Sequence, residues 1–131
     1  IELGLIEPVI KVGNLQSLRT FAHVRDAVRA YYMMLTISPK IGEYYNIGGT
    51  HVCSIGEMLD TLIELSSSKN ITIEVDKERF RPIDADLQVP DTAKFTKHTG
   101  WAPEITFEKT MLDLLNYWRD KTSKYGHTLV R

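Results

Sequence analysis

The chain has little of what several protein classes require. One cysteine, Cys53, stands among 131 residues, which excludes an intramolecular disulfide and suits a reducing compartment, so a cytoplasmic location is expected. Apolar runs are too short to cross a bilayer and no signal-peptide pattern occurs, so no membrane partner is expected. An excess of positive charge is missing too: the formal net charge is -1, too little to neutralise many phosphates, so no nucleic-acid partner is expected. A glycine-rich dinucleotide turn is absent, because "IGG" at 47–49 lacks its spacing and reads as a strand end. Histidines 23, 98 and 127 are scattered, and His51 with Cys53 offers fewer ligands than zinc needs, so no metal is expected. What remains is an ordinary composition, 43% hydrophobic and 25% charged, in a length that fits one domain.

Coarse patterning alternates between strand and helix periods. Residues 8–13, "PVIKVG", form a short strand pattern. Over 24–36, Val24, Ala27, Val28, Tyr31, Met34 and Leu35 recur at helical spacing, with Arg25, Asp26 and Arg29 opposite, which predicts an apolar face turned inward. "EYYNIGG" at 43–49 predicts a strand closed by two glycines. Ser54 and Glu57 form a capping-box signature ahead of a helix burying Ile55, Met58, Leu59, Leu62 and Ile63. "ITIEV" at 71–75 alternates as a half-buried strand, and 87–89 is a further short strand. Asp91 opens a short helix that stops near Gly100. The last helix carries Phe107, Met111, Leu114, Leu115 and Trp118 on one stripe. The pattern fades after Lys121, so we expect one domain over 1–121 and a loose tail over 122–131. The sum is a small mixed α/β domain with few strands and about four helices. The opening "IELGLI" lacks methionine and reads as the end of a helix already under way, as in a fragment.

Two arginines are candidates for binding chemistry. Arg81 in "RFRPIDAD" precedes Pro82, which pushes it into an extended conformation and steadies its side chain. Arg19 lies in "GNLQSLRTF", between a turn and the helix beginning at Val24. Two steady guanidiniums suit a pyrophosphate, since each fork can take two oxygens, and Asp84 offers acceptors to a vicinal diol. The alternative is idle surface pairing, Arg19 with Asp26 and Arg81 with Asp84 or Asp86. Tyr117 and Lys121 share the Tyr-x-x-x-Lys spacing of short-chain dehydrogenases, but on the last helix, far from any strand-end cleft, and read as coincidence.

Taken in order, "KVGNLQSLRTFAHVRDAVRAYYMML", "EYYNIGG" and "RFRPIDADLQVPDTAKFTKHTGWAPEITFEKTMLDLLNYWR" resemble the C-terminal part of extended short-chain dehydrogenase/reductases acting on nucleotide sugars. The resemblance is closest to the GDP-mannose 4,6-dehydratase family and its reductase relatives. It implies a small mixed α/β substrate-binding domain with the Rossmann half absent. It also implies that Arg19 and Arg81 contact the diphosphate, that Asp84 meets the ribose, and that Val12 and Asn14 line the base. NADP and the catalytic residues would belong to the Rossmann half, leaving no catalytic residue here and this chain inactive alone. Arg19-Thr20-Phe21 departs from the Arg-Asp-Trp of such dehydratases, so a reductase or epimerase stays open. A free-standing binding module is the alternative from another class. The partners implied are a nucleotide-sugar substrate and further copies of the same protein, as a homo-oligomer.

Overall fold

A computed structural model describes residues 1–80 and 85–126; Arg81 and Asp84 therefore lie outside the described residues. The elements follow in the order β1 (Val9–Val12), β2 (Leu18–Thr20), α1 (Val24–Thr36), β3 (Val52–Ser54), α2 (Ile55–Leu65), β4 (Thr72–Val75), a 3₁₀ turn (Lys77–Arg79), β5 (Leu87–Gln88), α3 (Ala93–Thr99) and α4 (Phe107–Tyr125). This is the mixed α/β architecture expected from the sequence. The helix α4 continues past Lys121, where the sequence pattern fades, as far as Tyr125.

Two small sheets organise the chain. β1 and β4 pair in parallel, with Val12 opposite Val75. β2 is the centre of the other sheet, antiparallel to β3 and parallel to β5. Short β2 thus has a hydrogen-bonded neighbour on each side, which fixes the direction of every residue on it.

The apolar core falls into two clusters. Ala30, Phe95 and Trp101 form one, with Met33, Met34, Tyr45 and Ile47 packed on it. Cys53, Phe107 and Met111 form the other, joined by Phe21, Met58, Leu62 and Leu65. Burial pushes the Cys53 thiol pKa up, as expected of a cysteine used for packing.

Two sequence expectations are corrected. Residues 43–49 form no strand, although Tyr45 and Ile47 turn inward while Tyr44 and Asn46 face out. Alternation marks which side chains bury, but a strand also needs a partner ladder, and this segment has none among the described residues. The second correction concerns α1, which occupies the expected range with a different face inward, one that keeps Met34 but replaces most of the expected apolar positions. Asp26 and Ala30 are its buried residues, whereas Val24, Val28, Tyr31 and Leu35 are 59–70% exposed. The reason is a polar latch. The Asp26 carboxylate accepts from the backbone N–H groups of Glu104 (3.2 Å) and Ile105 (3.0 Å) and from Arg29 (3.1 Å). The Trp101 indole N–H, fully buried, donates to the Asp26 carbonyl oxygen at 3.1 Å. A carboxylate with this many donors can be buried, and it turns its face of the helix inward.

Candidate functional site

The two ends of the candidate site meet at β2. Arg19 stands opposite Cys53 of β3 and Gln88 of β5. Its guanidinium Nη1 donates to the carbonyl oxygens of Leu18 (2.8 Å) and Ala85 (2.7 Å). Ala85 directly follows the "RPID" stretch, and the Leu18 N–H donates to Asp86 O at 2.8 Å. Arg19 is thereby held against the chain immediately after Asp84. The pairing of Arg19 with Asp26, weighed from the sequence, does not form: Asp26 belongs to the latch with Arg29.

Val12 and Asn14 arrive from the other side. Val12 closes β1, and its carbonyl oxygen accepts from the Asp76 N–H at 2.8 Å. Asn14 stabilises the turn that follows: its Oδ1 accepts from Gln16 N–H, and its Nδ2 donates to Ser17 Oγ, both at 2.9 Å. Gly13 permits a close approach, because a Cβ there would sit 2.7 Å from the Arg79 carbonyl oxygen. The turn after β1 therefore abuts the 3₁₀ turn that precedes Phe80 and Arg81. Of the five sequence candidates, the structure brings Val12, Asn14 and Arg19 into one run of loop and strand flanking the "RFRPIDAD" stretch.

The end of α2 that faces this run has all its leading N–H groups occupied. Ser54 N–H donates to Glu57 Oε2 (2.7 Å) and Glu57 N–H to Ser54 Oγ (3.1 Å), completing the capping box. Ile55 N–H donates to Ser17 O (3.1 Å) and Gly56 N–H to Leu15 O (2.9 Å). Sequence reasoning found the box and missed the loop it meets, because nothing in "SIGE" names Leu15 or Ser17 as acceptors.

Gly48 and Gly49 do not cradle a cofactor phosphate: a Cβ at Gly49 would overlap the Phe21 carbonyl, so the pair serves close packing. Among the described residues, no glycine-rich turn of the dinucleotide-binding kind is formed. Lys121 Nζ lies 5.4 Å from the Tyr117 ring centre and 5.3 Å from that of Tyr125, a contact along the surface of α4. His51 stacks on Phe107 with centroids 4.3 Å apart. An apolar cavity of about 370 Å³ lies between the first residues, α2 and α4, lined in part by Ile10, Leu62, Ile63, Leu115 and Trp118; Val12, Asn14 and Arg19 do not line it. Glu2 at its edge accepts from Arg119, Ser66 and Ser67, and the Arg119 hydrogen bonds foremost hold its carboxyl well below the usual range.

The GDP-mannose 4,6-dehydratase of Yersinia enterocolitica is 27% identical over 88% of this chain and 38% of its own length. The GDP-6-deoxy-D-mannose reductase of Pseudomonas aeruginosa is 26% identical over 90% of this chain and again 38% of its own length. Among solved structures, RMD from Pseudomonas aeruginosa complexed with NADPH superposes with a TM-score of 0.80 at 25% identity, covering 92% of this chain and 39% of that one. The chain thus spans less than half the length of these relatives. The model of one family, described as GDP-mannose 4,6 dehydratase, matches residues 1–114. The chain belongs to that family, among the extended short-chain dehydrogenase/reductases acting on nucleotide sugars.

Proposed function

We propose that this chain is the nucleotide-sugar-binding part of a 4,6-dehydratase acting on GDP-mannose or a similar GDP-sugar. In this reading Arg19 and Arg81 hold the diphosphate, Asp84 meets the ribose, and Val12 and Asn14 line the base. The observation that carries it is the position of Arg19, whose guanidinium rests on Ala85 O at 2.7 Å. That contact sets one candidate fork beside Ala85, the residue that follows Asp84 in the sequence. Arg19 lies on β2, which is paired on both sides, and Asn14 in the link between β1 and β2.

The chain's contribution to the reaction is binding and orientation. Energy from the remote nucleotide fixes the sugar against reacting groups supplied elsewhere. The proposed cofactor of the whole protein is NADP, held by residues outside this chain, and the whole protein is proposed to be a cytoplasmic homo-oligomer. A reductase is the second reading. It is favoured by Thr20-Phe21, which replaces the Asp-Trp expected after Arg19 in a dehydratase, and by the similarity to a reductase. Product analysis with the whole protein separates the two: a 4-keto-6-deoxy sugar marks the dehydratase.

Calorimetric titration with GDP, with UDP and dTDP as competitors for the base site, tests the binding reading. Removing one fork from a held diphosphate costs roughly 1.5–3 kcal/mol, so Arg19→Ala is expected to weaken GDP about tenfold to a hundredfold. Arg19→Lys recovers part of this, because it restores charge without the fork. Affinity within about twofold of the unmodified chain, the size of an idle surface pair, would remove Arg19 from the site.

A further inference from the structure

We infer that Ser54 and Glu57 are positioning residues for Arg19: the N-terminus of α2 holds the loop that leads into β2, the strand that carries Arg19. The inference rests on the proposed diphosphate site and adds to it two residues that touch no ligand.

A helix leaves its first four N–H groups without intrahelical partners. In α2 these belong to Ser54, Ile55, Gly56 and Glu57, and the capping box takes the first and last. The middle two donate out of the helix, to Ser17 O and Leu15 O. Those carbonyls belong to the five-residue link, 13–17, between β1 and β2. Ser17, 2% exposed, is the last residue of that link, and Leu18 and Arg19 follow it on β2, opposite Ser54 and Cys53. One residue, Ser54, therefore both pairs with β2 and starts the helix that grips the loop before it. If the box opens, the first turn of α2 frays and the donors to Leu15 and Ser17 move with it. Arg19 then leaves β2 in a less fixed direction, and a fork that must meet two phosphate oxygens at once depends on direction. An ordinary helix cap would affect stability alone. This one is continuous with the loop, so binding should change as well.

The experiment uses the full 131-residue chain and inorganic pyrophosphate as probe. Nitrogen-15 NMR follows the Arg19 Nε resonance and the amides of Ile55 and Gly56, first without ligand and then on titration. Ser54→Ala is expected to shift Arg19 Nε before any ligand is added, to speed exchange of the Ile55 and Gly56 amides, and to weaken pyrophosphate about fivefold or more. Ser54→Thr and Glu57→Gln, which keep an acceptor oxygen in place, should restore both readouts. Thr106→Ala is the control. Thr106 caps α4, accepting from Lys109 N–H at 3.2 Å, with its hydrogen-bonding partners Lys109 and Thr110 both on that helix, so its loss should lower thermal stability and leave pyrophosphate affinity unchanged. Should Ser54→Ala fail to fold, Glu57→Ala, at an exposed position, gives the same two readouts. The inference is overturned if the unmodified chain shifts with pyrophosphate while the box variants bind as well as it does, or if Thr106→Ala weakens binding equally. A chain whose Arg19 resonance ignores pyrophosphate altogether overturns the binding reading itself, and this inference with it.

Discussion

Asp26 accepts four hydrogen-bonding partners' worth of attention in its neighbourhood: Arg29, two backbone N–H groups through its carboxylate, and the Trp101 indole through its carbonyl. Burial alone would raise its pKa; the N–H groups of Ile105 and Glu104, then Arg29, outweigh this and hold it below the ordinary value. The sign follows directly. A carboxyl whose pKa is lower folded than unfolded contributes stability above its unfolded value, about 3.9, and loses it as pH falls through the folded one. We expect the unmodified chain to lose more stability than Asp26→Asn when taken from pH 6 to pH 3. Thermal midpoints for both proteins across that range provide the measurement, and parallel curves would show that the latch is not titrating. At pH 7, Asp26→Ala should cost about 3 kcal/mol, since it strands two backbone donors at the start of the segment leading to α4.

At the scale of elements, the turn after β1 gives a second stability test with a binding consequence. Gly13→Ala places a methyl 2.7 Å from Arg79 O, a backbone atom that cannot rotate away. Either the turn or the 3₁₀ segment must shift, at a cost of about 1–3 kcal/mol. Urea denaturation should show that loss, and GDP affinity should fall with it because the displaced segment leads into residue 81. What the sequence made legible at this scale was local. Ser54 with Glu57 announced α2, and the halt of α3 at Gly100, φ 74°, followed from its glycine. What stayed hidden depended on distant partners. The inward face of α1 is set by donors 78 and 79 positions along the chain, so no window of helical periodicity contains the cause. The strand expected at 43–49 failed likewise, since alternation carries no information about a ladder partner. Of the site, residue types and motif order pointed to Arg19 and Asn14, whereas the grip of α2 on their loop required the fold.

Over the whole molecule, the latch that turns Asp26 inward leaves a continuous apolar stripe on the outside of α1. Val24, Val28, Tyr31, Tyr32 and Leu35 are each 59–70% exposed and follow one another at spacings of one to four residues along a 13-residue helix. Tyr44 (82%) and Ile41 (105%) extend the exposed apolar surface in the residues that follow. Contiguous apolar area of this kind drives association in water, with about 25 cal/mol gained per Å² covered. We expect the chain on its own to self-associate as concentration rises, with the stripe on α1 as the contact. Two substitutions on the stripe, Val28→Lys and Leu35→Glu, should shift light-scattering mass toward the monomer. They should leave GDP affinity unchanged, because the proposed site draws on β1, β2 and their connecting loop. A chain that is already a monodisperse monomer at high concentration, or variants that associate as strongly as the parent, would place the contact elsewhere.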